Sequence, residues 1–322
     1  MRNRGAGDPR LPRHAGAPLV SRVRAVPVAG RRRLPVVHEP AVTVPGTRPA
    51  GPVSGSLLAT WEGRAAEAWA ERLRVASAEF HARIGSTSDR AKELADAGRP
   101  LPAIVVADRQ WRGRGRRGRR WESDTPRGLW FTVAHGGWTA GVETLPLRAG
   151  LAVARALETV VPDVRVQVKW PNDLLIGGRK VGGILCERAS GAALAGIGLN
   201  LDHREDQLPY VAPQATSLRL ESGRRVGRGT VLPQVVDALA TVWKRTAARI
   251  PADELVALNA RSALGTGPLS VSGVVRDSSQ GPRAVEGLAA EAVGMCADGS
   301  LEVRDCAGRR WRVIAGTVDS WS

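Results

Sequence analysis

Residues 110–121 read Gln-Trp-Arg-Gly-Arg-Gly-Arg-Arg-Gly-Arg-Arg-Trp. Between its tryptophans the stretch holds six arginines and three glycines. Glycine lets the backbone approach a ligand closely, and guanidinium groups give forked, permanently charged donors to carboxylate and phosphate oxygens. Because so many cations repel one another, we expect a mobile loop that orders when it binds an anion. From this stretch alone, a solvated basic loop or a nucleic-acid patch remains the alternative.

The sequence on either side places this loop between two strands. Residues 103–107 form an apolar run before it, and residues 128–133 form another after it. The glycine spacing at 113–118 matches the dinucleotide-binding pattern, but a strand follows where that pattern requires a helix. Since long loops inside compact domains are usually functional, the sequence predicts a ligand-binding loop at the mouth of a sheet.

A second group of charged residues follows a strand at 164–168. Pro171 cannot donate to a β-ladder, so the strand is interrupted there. The Gly177-Gly178 pair predicts a hairpin turn that brings the chain back through residues 180–187. The charged residues that this turn brings together are Lys169, Asp173 and Lys180. A plain turn with exposed charges is as compatible with this segment alone.

The remaining pattern is α+β. Apolar periodicity predicts a helix or helix pair over 56–79 and helices at 144–161, 230–249 and 251–264, and a helix beginning near Ser86. Capping alone would explain Ser86 and Thr87. Another strand is predicted at 195–201, and short strands at 269–275, 285–295, 301–303 and 311–318 predict a small barrel. We therefore expect a tail at 1–54, a mixed-sheet catalytic domain at 55–266 and a C-terminal β-barrel at 267–322.

The net charge of +16 is concentrated in two places. Residues 1–54 contain ten arginines and nine prolines against Asp8 and Glu39, and this composition predicts disorder. The arginine loop carries a further six positive charges, so the globular body is nearly neutral. A duplex-binding domain usually spreads basic charge over one face, and no helix-turn-helix pattern is present. We therefore expect no specific nucleic-acid partner.

Other classes of protein are disfavoured by what the sequence contains. The three cysteines are too scattered for a disulfide framework or a zinc site, and the five histidines do not cluster, so no metal ligands are predicted. No secretory signal and no apolar run of about 18 residues is present. We expect a cytoplasmic protein that does not bind a membrane.

The excess of cations without a nucleophile suggests a site that joins two anionic substrates. A carboxylate that attacks the α-phosphate of ATP is such a case. Two unit charges 4 Å apart repel by about 4 kcal/mol at an effective dielectric of 20. Lysine and arginine would offset this repulsion, and a closing loop would keep water from an acyl-adenylate.

Four motifs together resemble the signature of biotin protein ligases, in that family's order and spacing. They are Gly-Arg-Gly-Arg-Arg-Gly at 113–118, Lys-Trp-Pro-Asn-Asp at 169–173, Lys-Val-Gly-Gly-Ile at 180–184 and Gly-Ile-Gly-Leu-Asn at 196–200. The resemblance covers roughly residues 80–320. It implies a biotin/lipoate-ligase type catalytic domain and an SH3-like C-terminal barrel. It also implies that biotin and MgATP give biotinyl-5′-AMP, which a lysine of a biotin carboxyl carrier domain of acyl-CoA carboxylases then attacks.

The resemblance also implies roles for individual residues. Those matched to biotin contacts are Ser86, Thr87, Ser88, Gln110, Arg114, Gly115, Arg116 and Lys180. Those matched to the ATP or adenylate side are Lys169, Asn172, Asp173 and Asn200. The catalytic set implied is Lys180, Asp173 and Arg116, with Asp173 orienting the acceptor lysine or accepting its proton. Trp121 is equally compatible with a wall of the biotin pocket and with a core position.

The chain departs from the family pattern at two places. Ser88 stands where the family usually has asparagine, and Trp111-Arg112 replaces small or polar residues before the loop. The absence of a DNA-binding pattern resembles the monofunctional ligases, and we expect a monomer or weak homodimer. A lipoate or octanoate ligase or transferase of the same fold is the alternative function.

Overall fold

The computed structural model describes residues 55–137, 142–208, 214–265, 267–276 and 281–321. The predicted tail at 1–54 lies outside the described residues. The α-helices in these ranges are α1 Ala66–Leu73, α2 Thr87–Asp96, α3 Leu145–Val160, α4 Leu218–Ser222, α5 Arg228–Lys244 and α6 Ala252–Asn259. In the described ranges no helix is both long and apolar enough to cross a membrane.

The strands alternate with these helices along the chain. They are β1 Thr60–Trp61, β2 Arg64–Ala65, β3 Ser77–His81, β4 Ala103–Ala107, β5 Gly128–Gly136, β6 Gln167–Lys169, β7 Asp173–Ile176, β8 Arg179–Ala189, β9 Ala192–Asn200, β10 Pro268–Arg276, β11 Arg283–Met295, β12 Leu301–Asp305 and β13 Arg310–Trp321. The predicted strands and the helix at 144–161 are confirmed, with shifts of a few residues at their ends.

Strands β3–β9 form one mixed sheet in the described chain, in the order β3-β4-β5-β9-β8-β7-β6. Strands β3 and β4 run parallel, whereas the other neighbouring pairs are antiparallel. Strands β10–β13 close into a small antiparallel barrel. The α+β class, the mixed sheet and the C-terminal barrel are therefore confirmed.

Alternating residues of β4 point to opposite faces of the sheet. Ile104 and Val106 belong to the large core that also contains α3 and α5, whereas Ala103 and Val105 pack with α2. Helix α2 covers β4, β5 and the start of β9 on its own face. The rest of that face, over β8 and β9, is left for the arginine loop.

The predicted helix or helix pair over 56–79 is wrong at both ends, and only α1 is helical. Strands β1 and β2 form a hairpin before α1, and strand β3, which was not predicted, begins at Ser77. The chain before the hairpin pairs with the edge of β3, because Leu58 N donates to Phe80 O at 2.7 Å. Trp61 stacks on Phe80 with ring centroids 5.1 Å apart. These tertiary contacts use the same apolar residues that suggested a helical face.

Candidate active site

Antiparallel register puts Gly183, Gly196 and Gly198 on the sheet face that α2 covers only in part. Gly198 pairs with Gly183 on β8, and Gly196 pairs with Thr132 on β5. Residues that pair directly across an antiparallel ladder point to the same face. A Cβ at Gly198 would lie 2.5 Å from Trp121 Nε1, and one at Gly196 would lie 2.7 Å from Ser88 Oγ. Side chains of the site therefore rest directly on bare backbone.

The arginine loop, residues 112–120, folds as a short hairpin over the glycine floor, which is the patch of sheet formed by Gly183, Gly196 and Gly198. Trp121 N donates to Gly113 O at 2.9 Å, and Gly115 N donates to Arg119 O at 2.8 Å. A Cβ at Gly113 would lie 2.4 Å from Trp121 O, so only glycine fits at the base of the hairpin. Arg117 occupies the left-handed region at the turn, with φ of 56°. The expectation that the loop orders only on a ligand stays a prediction.

Gln110 fixes the base of the loop to the start of α2. Its Oε1 accepts from Thr87 N at 2.8 Å and from Thr87 Oγ1 at 3.2 Å. Its Nε2 donates to Ser123 Oγ at 3.1 Å. Ser86 caps the helix, since its Oγ accepts from Asp89 N at 3.5 Å. The structure thus brings together the predicted residues Ser86, Thr87 and Gln110.

Thr132 completes a buried hydroxyl cluster that the sequence analysis did not identify. Its Oγ1 lies 2.9 Å from Thr87 Oγ1 and 3.2 Å from Ser88 Oγ. All three side chains are buried. The one available signal was a single hydroxyl within the apolar run 129–133. The cluster supplies both donors and acceptors in a dry setting, which suits a compact polar head group.

Two tight turns bring the second charged group to the same face. Lys169 and Asp173 are partners across β6 and β7, and Gly177 and Gly178 form the left-handed turn from β7 into β8. Lys180 Nζ lies 2.7 Å from Asp173 Oδ1. The predicted grouping of Lys169, Asp173 and Lys180 is therefore observed.

Lys169 is the most buried member of this group, with 6% of the residue exposed. Burial lowers the pKa of its ammonium group to about 8. Its Nζ donates to Val318 O of the barrel at 3.1 Å. Lys169 therefore connects the charged group to the C-terminal barrel.

Trp121 lies between the two parts of the site. Lys180 Nζ is 5.3 Å from its ring centroid, and its indole meets Trp130 edge-on at 6.2 Å. Its Nε1 is buried with no hydrogen-bond partner among the described residues. Its ring packs directly against Gly183 and Gly198, and its role as a pocket wall stays a prediction.

The tip of the loop reaches the charged group through Arg116. Its Nη1 donates to Asn172 Oδ1 at 3.3 Å, and Asn172 Nδ2 donates to Ile184 O at 2.8 Å. Burial lowers the pKa of Arg116, and the neighbouring Arg117 adds to the effect. Asn200 is the remaining residue predicted for the nucleotide side. Its side-chain amide donates to Thr216 O at 2.9 Å.

A cavity of about 400 Å³ lies between the loop and β8, lined by residues 111–120, Leu185 and Glu187. This volume is within the range of small-ligand pockets. In the described residues, no three His, Cys, Asp or Glu side chains converge where they could hold a metal ion. The site can bind anions and a small polar group on one continuous face.

Comparisons with known proteins agree with this geometry. The sequence model of the Biotin/lipoate A/B protein ligase family matches residues 80–203. A biotin--[acetyl-CoA-carboxylase] ligase of Paracoccus denitrificans is 36% identical over 180 residues, which cover 52% of this chain and 72% of that relative. The chain belongs to this family.

Two further relatives define the extent of the likeness. The bifunctional ligase/repressor BirA of Bacillus spizizenii is 35% identical over 161 residues, covering 48% of this chain and 49% of that protein. The chain thus spans about half the length of this relative. The biotin protein ligase of Aquifex aeolicus, solved in complex with biotin and ATP, superposes with a TM-score of 0.63 at 25% identity, covering 76% of this chain and 99% of that structure.

Proposed function

We propose that this chain is an ATP-dependent biotin–protein ligase. It would activate biotin as biotinyl-5′-AMP and transfer the biotinyl group to a lysine of a biotin carboxyl carrier domain. The observation that carries the proposal is that one sheet face holds both the buried hydroxyl cluster and the Lys180–Asp173 pair, 2.7 Å apart, beneath an arginine loop. The polar head of biotin fits the first feature, and its carboxylate and the ATP phosphates fit the second.

In the first step a carboxylate oxygen of biotin attacks the α-phosphorus of ATP. The bond from that phosphorus to the bridging oxygen of pyrophosphate breaks, and pyrophosphate leaves with the electron pair. Lys180 and Arg116 offset the repulsion between the two anions and stabilise the charge that develops on the phosphorus. Lys169 and Asn172 serve the nucleotide side. Mg²⁺ enters as part of the substrate MgATP.

In the second step the amine of the acceptor lysine attacks the acyl carbon of the adenylate. AMP leaves with the electron pair of the broken bond, and the amine loses a proton. Asp173 is the residue we assign to orient this amine or accept its proton. Asp173 lies 2.7 Å from Lys180 Nζ, so Lys180 has to turn toward the carboxylate or phosphate for Asp173 to receive the amine.

The pocket favours biotin over a lipoyl or octanoyl group. Thr87, Ser88 and Thr132 bury hydroxyls, and Gln110 buries an amide. These groups hydrogen-bond to one another, but the polar head of biotin can use their remaining hydrogen-bonding capacity, which a purely apolar acyl chain would leave unused. A tenfold excess of unlabelled lipoate should therefore not reduce biotin labelling, whereas effective competition would favour the lipoate alternative.

The direct test is biotin-dependent exchange of labelled pyrophosphate into ATP. A second assay incubates the protein with biotin, MgATP and a carrier domain and detects biotin on the carrier by blotting. We expect both signals to require biotin and ATP. If no pyrophosphate exchange occurs with both MgATP and biotin present, the proposal is overturned.

The division of the chain is part of the proposal. We assign residues 55–266 to catalysis, 267–322 to a barrel that supports the nucleotide side through Lys169, and no specific role to 1–54. We further propose a monomer or weak homodimer that needs no nucleic acid.

A further inference from the structure

Arg114 reaches from the loop to two carboxylates on different elements. Its Nη1 lies 2.6 Å from Asp89 Oδ1 in the first turn of α2. Its Nη2 donates to Glu187 Oε1 on β8. These partners lie 25 and 73 residues away in the sequence. One guanidinium thus joins the loop to both sides of the glycine floor.

The electrostatics favour this arrangement. Burial lowers the pKa of Arg114, but the charges of Glu187 and Asp89 outweigh burial and raise it. Each of the three side chains is about one-third exposed, at 37%, 38% and 31% for Arg114, Asp89 and Glu187. The contacts are therefore ion pairs that solvent screens, and they are not buried salt bridges.

Backbone hydrogen bonds hold the base of the loop, since Trp111 N donates to Ile84 O at 3.1 Å and Arg112 N donates to Gly85 O at 2.9 Å. The pairing of Gly113 with Trp121 and of Gly115 with Arg119 is internal to the hairpin. Several arginines of the loop are exposed, namely Arg112, Arg117, Arg119 and Arg120. At the tip, Arg116 contacts Asn172 at 3.3 Å. The Arg114 contacts are thus the charged links from the loop to α2 and β8.

We propose that Asp89 and Glu187 are positioning residues that hold the loop over the pocket through Arg114 and so set how long the activated adenylate is retained. The retention part rests on the proposed function. Exposed ion pairs shift an equilibrium by up to about fivefold each. This suits a lid that must close over a reactive intermediate and still open in every turnover.

Trypsin tests the position of the loop without any substrate, because the loop contains six cleavage sites of its own. The variants are Asp89→Asn, Glu187→Gln and the double variant, each in the full chain. Mass spectrometry follows cleavage at 112–120. We expect cleavage to rise about two- to fivefold in each single variant and further in the double variant. Glu122→Gln, which removes an exposed acid that pairs with Arg120 at 3.5 Å, is the matched control and should not change it.

The second measurement is release of the adenylate. Each protein is loaded with biotin and MgATP, separated from free ligand and sampled for released biotinyl-5′-AMP. Release should accelerate in the same order as loop cleavage. Asp89→Glu keeps the charge and the reach, so it should stay within about twofold of the native chain. Unchanged thermal unfolding would exclude a merely structural effect.

The outcomes separate the two proposals. Unchanged loop cleavage in the double variant overturns the anchoring. Faster cleavage with unchanged release overturns the role in retention. If the native chain forms no adenylate at all, the proposed function fails, and the trypsin measurement alone then decides whether Asp89 and Glu187 hold the loop.

Discussion

Lys180 is held by an ion pair to Asp173 on one side and the ring of Trp121 on the other. Both contacts keep its ammonium group on the face that carries the hydroxyl cluster. We expect Lys180→Ala to lower biotin-dependent pyrophosphate exchange by about 10²- to 10³-fold, the usual loss when a preorganised charge is removed. Lys92→Ala, which removes an exposed lysine paired with Asp96, is the control and should retain full exchange. Comparable losses in both variants would contradict the assignment.

Lys169 gives a prediction about pH. Burial holds the pKa of its ammonium group at about 8, so the group is charged below that pH and loses its charge as the pH rises through it. Since the charge attracts phosphate, the KM for MgATP should rise above pH 8. Lys169→Arg keeps a permanent charge, and its KM should be flat from pH 7 to 9. A rise of equal size in both proteins would exclude Lys169 as the titrating group.

At the scale of the element, we expect the tip of the arginine loop to hold the loop closed over the site. Arg116→Gly removes the contact with Asn172 and one of the two cations assigned to the first step, so we expect adenylation to persist at a lower rate through Lys180 while free biotinyl-5′-AMP leaks. Arg119→Gly makes the same exchange at an exposed position of the same loop and should not leak. Chromatographic measurement of released adenylate distinguishes them. Equal release from the native chain and Arg116→Gly would refute the gating role.

Strand β9 must lack a side chain at Gly198 for Trp121 to lie against it. A methyl group there would meet the indole at 2.5 Å, so Gly198→Ala should cost about 1–3 kcal/mol in the free energy of unfolding. Gly136→Ala is the control, because its nearest neighbour would be 3.6 Å away. Combining Gly198→Ala with Trp121→Ala should cancel most of the added cost. Denaturant unfolding gives the free energy of unfolding of the native chain, of Gly198→Ala, of Gly136→Ala and of the double variant.

At the scale of the whole molecule, half of the net charge lies outside the part of the chain that holds the candidate site. The described residues from 55 onward belong to one compact unit, and residues 1–54 carry this half of the charge. Deletion of residues 1–54 should leave pyrophosphate exchange unchanged. It should also abolish any salt-sensitive binding to nucleic acid, whose affinity falls linearly on a log–log plot against salt. Lost exchange would show that the tail takes part in catalysis.

Much of the site could be predicted from the sequence, because close neighbours in the chain build it. The turns at 170–172 and 177–178 bring Lys169, Asp173 and Lys180 together, and short turns have strong residue preferences. Residues 56–65 were wrongly predicted as helical, because apolar spacing alone cannot reveal pairing with the edge of β3. Thr132 was missed because one hydroxyl in an apolar strand looks like an ordinary β-branched residue.

By itself the sequence determined most of the strands and helices after residue 80, the hairpin turns, the glycine positions and the charges available to a site, because these follow from local backbone preferences and side-chain chemistry. Only the tertiary structure decided which groups meet. Thr87 and Thr132 are 45 residues apart, Arg114 and Glu187 are 73 apart, and Lys169 and Val318 are 149 apart. Such contacts depend on strand register and on how elements pack, which local preferences do not encode. The arginine loop could be recognised from its sequence, but its two anchors, Asp89 and Glu187, could not.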